Sequence, residues 1–227
     1  MIRFPLALLF SLLLAIPAAG VPNGEPAPDF TLPDTKGAER SLSDFKGQTV
    51  VLEWHNHECP FVRKHYDSGN IPKLQQAYTA KGVVWLAVIS SAEGKQGFVS
   101  ADEAERNRVA DDAAPTHILL DPSGEVGRLY GAKTTPHMFV IGPSGKLRYQ
   151  GAIDSIRSTD PADISKAENY AALALDAVLA GKSPVNPITV PYGCSVKYGP
   201  EPEADAPTAT SSAPTRKKAP WWKFWGS

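Results

Sequence analysis

The chain has 227 residues, 42% of them hydrophobic, with 23 basic against 24 acidic side chains and a formal net charge of -1. That length and apolar content support one good core plus appendages. The charge balance leaves no cationic surplus to displace counterions from phosphates, which argues against nucleic acid as a partner. Residues 1–20 read as a secretory signal peptide: Arg3 supplies charge, Phe4 to Ile16 is mostly apolar, and Ala18, Ala19 and Gly20 offer small residues for cleavage. The apolar run falls short of the ~20 residues that a spanning helix needs, which favours export to a periplasm or the medium over an uncleaved anchor.

Past the leader, Asp29 to Leu32 reads as a short edge strand and Ser41 to Gly47 as a turn. Strands and helices then alternate. The pattern predicts strands over Val50 to Trp54, Val83 to Ser90, Thr116 to Leu120, His137 to Ile141 and Leu147 to Tyr149. It predicts helices over Pro60 to Tyr66, Ile71 to Thr79, Ala101 to Asp112, Glu125 to Tyr130 and Lys166 to Ala180. Ser68-Gly69-Asn70 divides the first two, and Gly181 caps the last. Such alternation implies an α/β layered sheet. Gly142 to Lys146 is a short turn-rich loop that suits an antiparallel hairpin, so the sheet is expected to be mixed. Beyond Ser183 the chain turns extended through Pro184, Pro187 and Pro191. Residues 199–215 have the Pro, Ala, Thr, Ser and acid composition of a disordered linker.

Cys59 ends the first core strand's loop and precedes Pro60, and proline is favoured at the first helical position. A thiol in a helix N-terminal turn is favoured as the thiolate by free N–H groups and the helix dipole. His55, His57, Arg63, Lys64 and His65 add positive potential nearby, opposed by Glu53 and Glu58. The chain holds a second cysteine, Cys194, and an oxidising compartment allows the two to pair.

Four blocks carry a family resemblance: Glu53 to Tyr66 around Cys59-Pro60, Thr134 to Val140, Arg148 to Asp154, and Tyr192-Gly193-Cys194-Ser195-Val196-Lys197-Tyr198. Together they resemble the peroxiredoxin-like redoxins of the thioredoxin-fold superfamily, of the alkyl hydroperoxide reductase and thiol-specific antioxidant type, over residues 24–198. The resemblance implies a thioredoxin-like fold, a mixed central sheet flanked by helices, and a cis peptide bond at Thr135-Pro136 beside the nucleophile, where backbone can pair with a bound partner. Taken with the signal-like leader, it implies an exported thiol-based oxidoreductase that uses no cofactor, with Cys59 and Cys194 as catalytic residues. Thr135, Pro136, Trp54 and Asn56 are then expected at the substrate site. The partners implied are a thiol or disulfide protein or a peroxide, and a reducing partner protein.

Two departures bear on mechanism. Val62 stands where thioredoxins carry a second cysteine, so no local disulfide can form. Leu52 and Asn56 stand where typical peroxiredoxins carry a proline and a threonine, and only Arg63 and Arg148 are candidates for the peroxide-facing arginine. A thiolate here attacks a disulfide sulfur or a peroxide oxygen, and either product needs resolving. Cys194 fits that role, since about twelve residues of extended chain from Lys182 span up to ~40 Å; a static disulfide pinning the C-terminal strap is the equal alternative. A non-catalytic redoxin scaffold is a further reading of the same pair.

Two other patterns remain. His55, His57 and Cys59 alternate, so in extended backbone they face one way and form a candidate copper or zinc site, which makes a metal carrier the rival class. Residues 216–227 form a basic aromatic tail with Arg216, Lys217, Lys218, Lys223 and three tryptophans, suited either to an anionic membrane surface or to no binding role.

Overall fold

The computed structural model describes residues 20–200. Residues 1–19 of the expected leader, residues 201–215 of the expected linker and the expected tail at 216–227 lie outside the described residues. No helix among the described residues is long and apolar enough to cross a membrane.

The chain opens with an antiparallel pair, β1 (Thr31–Pro33) and β2 (Glu39–Ser41), followed by a single 3-10 turn at Leu42–Phe45. β3 (Val50–Trp54) leads into α1 (Pro60–Asp67) and α2 (Asn70–Thr79), and then come β4 (Val84–Ile89), α3 (Ala101–Ala110) and β5 (His117–Leu120). After α4 (Glu125–Tyr130) the chain makes β6 (Thr134–Thr135), β7 (His137–Ile141) and β8 (Leu147–Gly151), then α5 (Tyr170–Leu179) and β9 (Cys194–Ser195). The central sheet has strand order β5-β4-β3-β7-β8. β3, β4 and β5 are parallel while β7 and β8 run antiparallel, which makes it the expected mixed sheet of a thioredoxin-like fold.

β3 is buried at all five positions because it is the middle strand and both its faces are covered. Its alternation divides the interior. Val51 joins a cluster with Val62, Tyr66, Ile71, Trp85, Met138, Val140 and Leu175, packed under α1, α2 and α5. Val50, Leu52 and Trp54 join Leu86, Leu119, Tyr130 and Phe139 on the other face, beneath α4 and β1.

Several expectations are corrected. The helix expected from Lys166 to Ala180 is a 3-10 turn at Pro161–Lys166 and then α5, which starts where the Asn169 side chain accepts a hydrogen bond from the Ala172 N–H at 2.9 Å. The edge strand expected at Asp29 to Leu32 is displaced to Thr31–Pro33, and β2, β6 and β9 carry too few residues for a periodic signal.

On the α1–α2 face, β3 also carries Glu53, fully buried. Its carboxylate accepts from Tyr66 Oη and Trp85 Nε1, each at 2.7 Å, and from Gln75 Nε2 at 3.2 Å, with His55 Nδ1 at 3.5 Å. Burial opposes its ionisation, but the hydrogen bonds and the His55 contact outweigh it and hold its pKa below the ordinary 4.5. A depressed folded pKa contributes stability that is present above the unfolded value and is lost as pH falls through the folded one. Glu53→Gln is therefore expected to cost about 2–4 kcal/mol at neutral pH. Urea unfolding from pH 7 down to pH 3 checks this: the gap between variant and native chain should narrow in acid, and a constant gap would contradict the assignment.

Candidate active site

β3 delivers the chain to a four-residue loop that ends at Cys59, the N-cap of α1, with Pro60 at the first helical position. Asn56 shapes that loop. Its Oδ1 accepts from the Glu58 N–H at 2.9 Å, its Nδ2 reaches Gln96 O at 3.3 Å, and its carbonyl accepts from the Cys59 N–H at 3.1 Å. The Asn56 amide is thereby committed to holding the loop.

Facing Cys59 is the Thr135-Pro136 peptide bond, which is cis. The Cys59 thiol donates to Thr135 O at 3.0 Å. From the other side arrives β9, antiparallel to β6, with Cys194 opposite Thr135 and Ser195 opposite Thr134. The cis-proline edge is thus already paired, by a strand of the same chain. Gly193 makes the approach possible: at φ +140° it lies so close that a Cβ there would sit 2.0 Å from Thr135 O.

Cys59 is buried and Cys194 half-buried, and both are free thiols. Thr135 brings the two together, since its carbonyl receives the Cys59 thiol and its backbone pairs with Cys194, and their acidities part. Burial pushes the Cys59 thiol up, but donation from the Cys194 thiol, the Thr135 hydroxyl and the N–H groups of Cys194 and Val62 outweighs burial, so its pKa is lowered overall. The Thr135 hydroxyl is buried with no hydrogen-bond partner, so it is free to turn toward the sulfur as charge develops there. Cys194 is pushed up to about 11 by burial and by its role as donor to Cys59. Of the two thiols, Cys59 is the one that ionises first and Cys194 the one that holds its proton longer. Hydrogen bonds, rather than the surrounding cations anticipated from the sequence, set this order.

Other expected site residues go elsewhere. Trp54 lies on the opposite face of the sheet, where it packs at 5.0 Å from the Phe139 ring and donates to Ser90 Oγ at 3.0 Å, so it does not border the sulfur as expected. Arg63 pairs with Asp111 at 2.9 Å and with Asp67, and Arg148 reaches Ser183 Oγ at 3.0 Å. The three-residue metal set does not assemble. β3 ends at Trp54, so the alternation breaks at His55, which packs against the Tyr66 ring at 4.8 Å and points to Glu53. His55 and His57 line a small cavity beside α3, whereas Cys59 faces Thr135. Among the described residues no group of three or more His, Cys, Asp or Glu is placed to hold a metal ion.

Sequence reasoning missed Tyr192 and Gly193 as individual contributors, although both stand in the Tyr192 to Tyr198 block. Asp154 and Lys64 were missed as well. Tyr192 donates to Asp154, which also receives Lys64 Nζ at 3.5 Å. Further along, Tyr198 donates to Ala132 O at 2.8 Å, and the Arg128 guanidinium sits 4.6 Å over its ring. The strap is therefore fastened on both sides of Cys194.

A five-stranded mixed sheet, a cis-proline loop and a helix-start cysteine facing that loop define the chain as a thioredoxin-fold redoxin. It belongs to the AhpC/TSA family, whose model matches residues 23–150. Among curated proteins it is 29% identical over 124 residues to the thiol-disulfide oxidoreductase ResA of Bacillus thuringiensis subsp. konkukian, covering 55% of this chain and 66% of that relative. The chain thus spans just under two thirds of that relative's length. It is 30% identical to the thioredoxin-like protein YneN of Bacillus subtilis, covering 57% of this chain and 71% of the relative. Among solved structures, a hypothetical protein from Sinorhizobium meliloti 1021 is similar at 25% identity with a TM-score of 0.67, covering 80% of this chain and 97% of that one. An uncharacterized conserved protein from Geobacillus kaustophilus is similar at 26% identity and the same TM-score, covering 79% and 93%.

Proposed function

We propose that this chain is an exported thiol-based oxidoreductase that carries out thiol–disulfide exchange, with Cys59 as nucleophile and Cys194 as the resolving thiol. The carrying observation is that two free cysteines meet at Thr135, Cys59 through its thiol at 3.0 Å and Cys194 as the β6 residue's strand partner, with pKa values driven apart, Cys59 down and Cys194 up. The Cys59 thiolate attacks one sulfur of a substrate disulfide, forming a mixed disulfide and expelling the other sulfur as thiolate. Cys194 then gives up its proton and attacks Cys59 Sγ. A Cys59–Cys194 bridge forms, the second substrate thiolate leaves, and two electrons have passed from the cysteine pair to the substrate. A reducing partner protein resets the pair.

Disulfide exchange is preferred to peroxide reduction because the three side chains singled out as peroxide-orienting candidates, Asn56, Arg63 and Arg148, are occupied. Asn56 holds its own loop, Arg63 is held by two aspartates, and Arg148 lies against Ser183. The name of the ResA relative agrees with exchange, and the leader-like residues 1–20 support export.

Oxidised glutathione and, separately, limited hydrogen peroxide test the proposal on the reduced full chain, with thiol titration and mass mapping. Glutathione disulfide is expected to remove both thiols together as one Cys59–Cys194 bridge. Persistence of both thiols, or modification of Cys194 alone, would overturn the assignment. Bridging by peroxide much faster than by glutathione would move the substrate class to peroxides.

A further inference from the structure

The proposed exchange depends on Cys194 lying against Cys59, yet β6 and β9 form only a two-residue ladder. Something else must fix the strap. Two positions before Cys194, Tyr192 turns inward, 5% exposed, and donates its hydroxyl to Asp154 Oδ1. Asp154 Oδ1 also accepts from the Ile156 N–H at 3.1 Å, and Asp154 Oδ2 lies 3.5 Å from Lys64 Nζ and 3.8 Å from His65 Nε2. Lys64 Nζ is in turn bound to Ile156 O at 3.2 Å. His65 is kept neutral near pH 7 because burial lowers its pKa to about 4. Asn70 Nδ2 donates to its Nδ1 at 2.8 Å, which leaves Nε2–H facing the Tyr192 hydroxyl at 3.4 Å.

Lys64 and His65 sit on α1, the helix that begins at Cys59, and Tyr192 sits on the strap that carries Cys194. One buried polar cluster therefore ties the two cysteine-bearing segments to each other. A buried ion pair is weak as a source of stability, since apolar replacement often does as well, but it punishes misplacement because any shift leaves a charge without its partners. It specifies position.

We infer that Tyr192 is a positioning residue for Cys194: its hydroxyl, anchored on Asp154 within the Lys64–His65 cluster of α1, sets where the strap lies and so holds the second thiol against the first. The inference rests on the proposed exchange, but its consequences are separable. If the strap loosens, Cys194 and its backbone N–H withdraw from Cys59, so the apparent pKa of Cys59 rises whether or not a bridge ever forms.

The test compares the full chain with Tyr192→Phe and Asp154→Asn, and with Tyr78→Phe as a control whose hydroxyl binds Ala172 O and Asp176 of α5 instead of the Asp154 cluster. Three quantities are read: the bridge equilibrium in glutathione buffers, the pH dependence of Cys59 alkylation by iodoacetamide, and urea stability. Loss of a hydrogen bond to a charged group is expected to weaken the bridge at least about tenfold, about 30 mV for a two-electron couple. Tyr192→Phe should also raise the apparent pKa of Cys59, whereas Tyr78→Phe should lower stability and leave both readouts unchanged. If either strap variant unfolds, the other is read. Values within about twofold of the native chain in the folded strap variants, or equal shifts in Tyr78→Phe, would overturn the inference. Failure of the native chain itself to bridge would instead sink the exchange proposal, and the alkylation profile would still decide the role of Tyr192.

Discussion

Cys59→Ser is expected to lower the rate of disulfide exchange by at least about 10³-fold, to the background of the reagent, because a serine hydroxyl stays protonated where the thiol ionises. The variant should remain folded. Serine is nearly the size of cysteine and its hydroxyl can donate to Thr135 O as the thiol does at 3.0 Å, so a stability cost of about 1–2 kcal/mol is expected. Cys194→Ser should behave differently, because it spares the nucleophile and removes the resolving step. With glutathione disulfide it is expected to accumulate a stable Cys59–glutathione adduct, seen by mass, and to turn over once. Exchange at native rate in Cys59→Ser, or rapid loss of the adduct in Cys194→Ser, would refute the division of roles.

Gly193→Ala is expected to impair bridge formation more than any other change away from the two sulfurs. The new Cβ would meet Thr135 O at 2.0 Å and Thr135 C at 2.7 Å, both backbone atoms of the cis-proline loop that cannot swing aside. The φ of +140° adds strain that glycine alone escapes. Relief requires the strap to rise from β6, taking Cys194 with it. Overpacking of this kind costs about 1–3 kcal/mol, which corresponds to roughly a 5- to 150-fold drop in the effective concentration of Cys194 at Cys59. Bridging in glutathione buffers gives the drop directly, and amide exchange at Thr135 and Ser195 reports whether the ladder has opened. Native bridging in this variant would mean that the strap tolerates a displacement the contact distances forbid.

The parts of the molecule visible in the sequence are those with periodic or local chemical signals. β3, α1, β4, β5, α4 and β7 fall where apolar runs and turn residues place them, and Cys59-Pro60 marks the helix start without help from the rest of the chain. The cis Thr135-Pro136 bond followed from family resemblance and motif order, since the dipeptide alone favours trans. β6 and β9 were invisible because two-residue strands have no alternation, and their pairing joins positions about sixty residues apart. Trp54 was misjudged for a simpler reason. Position 54 has the parity of Val50 and Leu52, so its side chain leaves the strand on the face away from Cys59, a fact that adjacency in sequence conceals. Glu53 shows the converse, since a charge that reads as solvent-exposed is here wholly interior because tyrosine, glutamine and tryptophan from three other elements converge on it.

Cys59 and Cys194 are separated by 135 positions, the difference between their numbers, yet the fold brings both to Thr135. A covalent link between them would close nearly the whole domain into a ring, and the denatured chain would forfeit about 5 kcal/mol of configurational freedom. Because the cycle is closed, the same quantity favours the link in the native chain over the denatured one by about 10³- to 10⁴-fold. The ambient redox buffer then acts as an effector of thermal tolerance, and a chain that begins to melt becomes easier to reduce.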